Sequence, residues 1–408
     1  MKKIMSYVLV MVVLALCMPL IVMPVNATSY PFNITDSAGR EVTIQMPITR
    51  IIVLNTDTAE AVKVLGAIDK VVGIAEGIKT KKSYYFPDPD LVNATSVGKW
   101  DNPDFEKIIK VATNATTGVI DPDIIVIQYA YTGATVKYGV DYLANGLKDY
   151  PNITVVGLDF YKQDTMCEEI EKLGKILDRE NKAKDFIDWR KGKEQAVADG
   201  IAEIKLKMKG ELPNAILSYL RATYLGEAVE HLELNELRRY AWSYAYGPKV
   251  FIETRYKGPG EISTRGPGSG DHATCTMAGG YNIASDLDMA YPKVTWEWVL
   301  AENPDVIIRG VYTTGWGWSS TEEEPKSIVD GIKSREAAES IFAVKDNRVY
   351  AFCNEPLYGL DNVAGLTYWA KIFYPELNLN PKAVYTEYLT TFMSISYPED
   401  RVFVYPGV

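Results

Sequence analysis

Two glutamates stand at matched places in a phrase the chain uses twice. Glu106 lies in "DFEKIIKVATNATTGVIDPDIIVIQ", Asp104 to Gln128, and Glu297 lies in "TWEWVLAENPDVIIRG", Thr295 to Gly310. Each time an amphipathic turn with an early acid runs into Pro-Asp and then into a β-branched run. Proline stops the helix, and the aspartate turns the chain into a buried strand. A carboxylate in the first turn also suits the helix dipole. The other side chains with chemistry to offer read as binding groups. No GxSxG, HExxH or GxxxxGK[ST] occurs, so the nucleophile, zinc-peptidase and phosphate-loop classes have no motif here. Glu230 and Glu233 sit in charged, helix-like text and read as solvated. The chain has two histidines, His231 and His272. A receptor for naked zinc or manganese gathers several imidazoles and carboxylates, so that class is not expected. In the Gly/Pro-rich stretch Arg255 to Ala284, Arg265 can pair with a ligand's carboxylate or phosphate. His272 there can be an axial ligand to a metal that arrives already chelated. Otherwise the stretch is a solvated loop.

These groups need elements to hold them. "REVTIQMPITRIIVLNTDTAEAVKVLGAIDKVVGI" predicts a short strand, a buried strand Ile51–Leu54, and a helix capped by Asp57 with Glu60 three residues on. That helix ends at Gly66, and a further strand follows. Short strand–helix–strand connections mean a parallel sheet. "DPDIIVIQ" and "NITVVGLD" continue it. From Asp164 to Lys209 the text turns helical without a proline: a short helix to Leu177, then one long helix from Asn181 to Lys209. Strand–helix alternation then restarts at "NAILSYL". The expected fold class is α/β, with two Rossmann-like lobes of parallel sheet joined by one long α-helix and a ligand cleft between them. The expected units are an amino-terminal segment 1–27, a lobe 28–178, the connecting helix 179–209 and a second lobe 210–408.

The chain of 408 residues is 47% hydrophobic and 24% charged, as globular proteins with real cores are. Lys2 and Lys3 precede an uncharged run from Ile4 to Val25, closed by Val25-Asn26-Ala27. This reads as a secretory signal peptide or an uncleaved membrane anchor. Cys17 follows Leu16 rather than a small residue, which argues against a lipid anchor there. Residues 1–27 carry two lysines and no acid, so the rest of the chain is at −12. That charge excludes nucleic acid binding by bulk electrostatics. Asn33, Asn93, Asn114 and Asn152 open N-x-[ST] sequons, which agree with export and, if used, with an archaeal or eukaryotic source. Cys167, Cys275 and Cys353 show no CxxC spacing, so there is no zinc motif and at most one disulfide.

In a two-lobed α/β protein a ligand lies between the lobes, near the carboxyl ends of parallel strands. Strand ends then nominate Asn55, Thr56, Asp57, Trp100, Tyr129 and Tyr131 in the first lobe. In the second they nominate Tyr219, Arg221, Tyr312, Trp316 and Trp318. Aromatic residues in such loops suit a large flat ligand or a sugar.

The phrases "DSAGREVTIQMPITRIIVLNTDTAEAVKVLGAIDKVVGI", "AGGYNIASD", "VTWEWVLAENPDVII" and "VYAFCNEPLYGLDNVAGLTYWAKIFYPEL", in this order, resemble the substrate-binding proteins of ABC importers for iron chelates, haem and cobalamin. The resemblance covers most of residues 35–378. It implies two lobes on a rigid helix and a monomer that takes no cofactor of its own and catalyses nothing. It implies a metal chelate as cargo, and as partners an ABC permease dimer and its ATPase subunits on other chains. It also implies that Glu106 and Glu297 dock into arginine pockets of the permease. Two carboxylates held apart on a rigid body make a two-point key, which sets orientation and on-rate. The inserted "KVATNATTG" before Pro122 departs from the family pattern near Glu106. Two other classes stay open: a receptor for an oxyanion, oligosaccharide or peptide on the same scaffold, and a surface enzyme such as a chelatase or glycan hydrolase.

Overall fold

The computed structural model describes residues 29–81, 85–226, 229–230, 232–311, 316–319 and 321–408. The amino-terminal 1–27 segment, His231 and Tyr312 lie outside these. After an antiparallel hairpin of Phe32–Thr35 with Glu41–Ile44, the first lobe is a five-stranded, wholly parallel sheet. Its strands are β1 (Arg50–Val53), β2 (Val71–Ile74), β3 (Thr95–Ser96), β4 (Ile124–Gln128) and β5 (Ile153–Gly157), in the spatial order β3-β2-β1-β4-β5. Buried side chains on both faces explain the unbroken β-branched runs: Ile51, Val53, Ile125 and Ile127 face one core, and Ile52, Leu54, Ile124 and Val126 the other. The order reverses between β1 and β4. At such a switch point the loops past the strand ends diverge and leave a crevice.

The second lobe has β6 (Lys249–Gly258), β7 (Glu261–Thr264), β8 (Lys293–Val294), β9 (Val306–Val311), β10 (Val349–Cys353) and β11 (Val404–Tyr405), in the order β8-β7-β6-β9-β10-β11. Its centre, β6-β9-β10, is parallel, and the edges are antiparallel.

The repeated phrase folds alike in both lobes. Asp104 caps α2 (Phe105–Ala112), and Thr295 caps α5 (Trp296–Glu302), each accepting from the backbone N–H three residues on. The aspartate of each Pro-Asp also ties its strand to a neighbour. Asp123 binds Arg50 at 2.6 Å, and Asp305 accepts from Lys249 N at 2.7 Å. The insertion before Pro122 forms its own turn, in which the Asn114 side chain accepts from Thr116 N and Thr117 N.

Several local expectations are corrected. The helix α1 (Thr56–Val64) is capped by Asn55, not Asp57; Asn55 Oδ1 accepts from Thr58 N at 2.8 Å. Glu60 makes no capping box, because its carboxylate is buried against the other lobe. The connecting helix α3 spans Glu180–Leu225, 46 residues, about 69 Å at 1.5 Å per residue. It runs past Lys209, through Pro213 and "NAILSYL", to a left-handed cap at Gly226. The strand expected there is helix, since Ala, Leu and Arg favour helix and no β-branched run opposes it. The Arg255–Ala284 stretch is ordered rather than a solvated loop: Gly258-Pro259-Gly260 links β6 to β7, and Ser269 caps α4 (Gly270–Met277). Cys167, Cys275 and Cys353 are free thiols.

The lobes meet through one hydrophobic core and a buried polar seam. Phe186 and Trp189 of α3 pack on Tyr388 and Phe392. Arg190, 1% exposed, binds the Asn362 side chain and Glu194. Tyr388 donates to Glu60, and the Tyr85 hydroxyl lies 2.9 Å from Asp361. Nearer the cleft, Gln163 donates to Thr274 at 2.7 Å.

Candidate functional site

The crevice at the switch point holds a cavity of about 660 Å³, the size that houses a drug-sized molecule. Leu54, Asn55, Thr56 and Asp57 enter it from the end of β1 and the start of α1. Tyr129 and Tyr131 enter past β4, and Tyr161 past β5. Trp100, Tyr138, Ala75, Gly77 and Ile78 complete the first lobe's share, and Tyr358 closes it from the second lobe.

The wall is aromatic and interlocked. Trp100 meets Tyr129 edge-on at 6.1 Å and tilts against Tyr138 at 5.5 Å. Tyr131 contacts Tyr129, Tyr138 and Tyr161 at 5.9, 5.2 and 6.4 Å. Edge-to-face rings fix one another, so a ligand meets a preformed surface. Gln128, 0% exposed, holds the base together. Its Nε2 donates to Trp100 O at 2.9 Å, and its Oε1 accepts from Tyr129 N at 3.0 Å and Asn55 Nδ2 at 3.3 Å. Tyr129 donates to Asp57 Oδ2 at 2.9 Å. Burial, then the Asp57 charge, pushes the Tyr129 phenol far above its ordinary range, and burial does the same to Tyr161. Both rings stay neutral donors.

Six of the nominated residues thus meet in one cavity: Asn55, Thr56, Asp57, Trp100, Tyr129 and Tyr131. The second-lobe nominations fare differently. Trp316 is 3% exposed and belongs to the core, and Trp318 packs edge-on against Tyr85 and Phe403. Tyr219 and Arg221 ride the far end of α3, because their segment is helix. None of these four lines the cavity. Arg265 binds Asp271 at 3.1 Å and stacks on Tyr291, one shell behind Tyr358. The His272 ring turns to Asn282, whose Nδ2 lies 3.1 Å from Nδ1, and it too stays out of the lining. Burial holds that imidazole's pKa below its ordinary value. Sequence reasoning missed Tyr138, Tyr161 and Tyr358. Tyr161 and Tyr358 follow strands β5 and β10, so the strand-end rule, applied there, finds both.

Glu106 and Glu297 are both exposed at the second position of their helices. The helix-start N–H of Glu297 and the Thr295 hydroxyl lower its carboxyl pKa. Of the sequon residues, Asn33, Asn93 and Asn152 are exposed and Asn114 half-buried. No group of three or more His, Cys, Asp or Glu side chains able to hold a metal exists among the described residues.

The sequence model of the family described as "Periplasmic binding protein" matches residues 51–228. The molybdate-binding protein MolA of Haemophilus influenzae is 23% identical over 379 residues, which is 90% of this chain and 92% of that one. A cobalamin-binding protein of Halobacterium salinarum is 20% identical over 328 residues, 79% of this chain and 70% of that one. The crystal structure of the TroA-like periplasmic binding protein FepB from Veillonella parvula superposes with a TM-score of 0.64 at 19% identity. That superposition covers 92% of this chain and 99% of FepB. With two α/β lobes, one long helix between them and a cavity where they meet, the chain shares the fold of that periplasmic binding protein, and residues 51–228 match the family's sequence model.

Proposed function

We propose that this chain is the extracytoplasmic solute-binding protein of an ABC importer and that its cargo is a metal chelate held in the cavity between the lobes. The observation that carries this reading is the cavity itself: about 660 Å³, walled by Trp100, Tyr129, Tyr131, Tyr138 and Tyr161 and covered by Tyr358. A chelator fills its metal's coordination sphere, so the receptor needs to supply shape and stacking rather than ligands. Among the described residues the cavity lining contains no histidine or cysteine, which fits such cargo and argues against capture of a naked transition metal. Glu106 and Glu297, on matching helices of the two lobes, are the contacts offered to the permease. The lobe before α3 and the lobe after it act as the two jaws. The seam at Glu60, Tyr85, Arg190 and Tyr388 limits their swing to a small hinge. No step of bond chemistry is assigned to the site.

A second reading is an oxyanion or sugar receptor on the same scaffold. The molybdate-binding relative favours the first of these, and the exposed rings of Trp100 and Tyr131 favour the second. The experiment is an absorbance and thermal-shift screen of residues 28–408 with ferric siderophores, haem, cobamides, molybdate and a glycan set. A chelate that raises the melting temperature and perturbs its own visible band supports the proposal. Silence from every chelate beside a shift with molybdate or a glycan overturns it.

A further inference from the structure

Beyond residue 27 the sequence holds four N-x-[ST] sequons, at Asn33, Asn93, Asn114 and Asn152, and the proposed function makes no use of them. All four precede residue 155, so the second lobe has none. The fold gives this clustering a direction. The first lobe's sheet is wholly parallel, with Arg50, Ile124 and Ile153 level in register at the starts of β1, β4 and β5. Every strand start therefore lies towards one face of the lobe and every strand end towards the other. The cavity lies past the strand ends. The sequons gather at the strand starts.

Asn152 is the residue before β5, and its Nδ2 donates to Ile120 O at 2.7 Å. Ile120 bridges to Thr113, the residue before Asn114, so these two sequons adjoin. Asn33 pairs across the hairpin with Thr43, which shares a surface groove with Ile153 and Thr154. Asn93 ends a short helix (Pro89–Asn93) that packs on Ile68–Lys70, just ahead of β2. Thr95, the hydroxyl residue of the Asn93 sequon, is the first residue of β3. β3 and β5 are the outer strands, so both edges of the sheet open on a sequon. The five residues of β4 put about 16 Å between this face and the cavity mouth, at 3.3 Å per residue. Glu106 and Asn114 stand at opposite ends of α2, about 12 Å apart along its axis at 1.5 Å per residue. A bulky group at the strand starts is thus clear of both the cavity and Glu106.

The four sites differ in access. Asn33, Asn93 and Asn152 are exposed. Asn114 is half-buried: its Oδ1 accepts from Thr116 N and Thr117 N, and its Nδ2 lies 3.3 Å from Asp121 Oδ2. Resting on the reading of the chain as extracytoplasmic, we propose that Asn33, Asn93 and Asn152 carry N-linked glycans, which make the strand-start face of the first lobe a sugar-coated surface turned away from cargo and permease. The donor is a lipid-phosphate-linked oligosaccharide. The asparagine Nδ2 bonds to the anomeric carbon of the first sugar as the bond from that carbon to a phosphate oxygen breaks. The lipid phosphate leaves with the electron pair, and the amide gives up one proton. A glycosylated amide keeps its other N–H, so the bond from Asn152 to Ile120 O is compatible with the modification.

The test is peptide mass spectrometry of the full chain purified from the cells that naturally make it, with extracytoplasmic and cytoplasmic material separated first. The expected result is an extracytoplasmic chain with saccharide mass on the peptides of Asn33, Asn93 and Asn152. Thr154→Ala leaves Asn152 in place but destroys its sequon, and should remove the sugar at that site alone. Thr154→Ser keeps the hydroxyl and should retain the sugar. A bare asparagine at any of the three sites overturns the assignment there. All three bare in extracytoplasmic protein overturn the proposal and leave the export reading standing. A chain confined to the cytoplasm overturns both, and sugar that persists on Asn152 in Thr154→Ala overturns the role given to the sequon.

Discussion

Glu253 is the residue whose loss should reach furthest for a side chain that touches no ligand. It is 1% exposed in the middle of β6. Arg335 grips it with two bonds, Nη1 at 2.6 Å and Nη2 at 2.8 Å, and Arg309 Nε lies 3.7 Å away. The Arg335 guanidinium in turn lies 3.9 Å from the Tyr256 ring centre and 4.8 Å from that of Trp296, the residue before Glu297. Glu253→Ala removes the carboxylate between two guanidinium groups that are only 9% and 21% exposed. Breaking a buried pair by taking one partner costs about 3–5 kcal/mol, because a charge is left without its counterion. At about 2–4 °C per kcal/mol for a domain of ordinary size, the melting temperature should fall by roughly 10 °C. Glu253→Gln keeps the shape and part of the hydrogen bonding, so its loss should be smaller. Thermal unfolding followed by circular dichroism reads both variants. Because the cluster sits under α5 and away from the cavity, ligand affinity should be unchanged at 20 °C while docking through Glu297 weakens. A Glu253→Ala protein that melts within 2 °C of wild type would refute the reasoning, since the two arginines would then be content without their carboxylate.

Charge reversal at the proposed docking points, Glu106→Arg or Glu297→Arg, should cut transport in reconstituted vesicles by about tenfold or more at unchanged ligand affinity, as expected of charges that set encounter and orientation; a drop in ligand affinity instead would assign these residues elsewhere. Trp100→Ala and Tyr131→Ala should each weaken the cargo about tenfold, roughly the value of an aromatic contact with its buried area, as measured by fluorescence titration. Trp316→Ala should do the opposite, costing about 3–5 kcal/mol of stability and leaving affinity alone in the same titration. Burial depresses the His272 pKa in the folded chain, so its stabilising share is complete above the unfolded value near 6.5. That share is lost as the pH falls from there towards the depressed folded value, because the unfolded chain then binds the proton more readily. Melting temperatures of wild type and His272→Gln from pH 8 to 5 should converge or cross on acidification, and a constant gap would rule this linkage out.

Local sequence and tertiary packing divide the molecule between them along a clear physical line. The strands at Ile51, Ile124, Val306 and Val349, the Pro-Asp stops, the capped helices that carry Glu106 and Glu297, and the long linking helix were all legible in the chain. Each rests on local physics, namely periodicity, caps and helix stops acting within a few residues. The cavity's first-lobe floor was legible too, because strand ends at a switch point are a consequence of topology. The extent of α3 was not, since "NAILSYL" satisfies either periodicity and local text cannot arbitrate short apolar runs. Nor was the direction in which a loop aromatic turns. Trp100 and Trp316 occupy similar text, both in glycine-bearing loops past strands, yet one is 44% exposed in the cavity wall and the other 3% exposed in the core. That choice depends on what distant segments bring opposite, Tyr358 of the other lobe over the cavity in one case and Phe403 and Cys353 of the same lobe closing around Gly317 in the other. By itself the sequence determined the two lobes, the long helix between them and the exposed glutamates at two matched helix starts. Only the tertiary structure decided which rings face the cavity, because that depends on contacts between segments far apart in the chain.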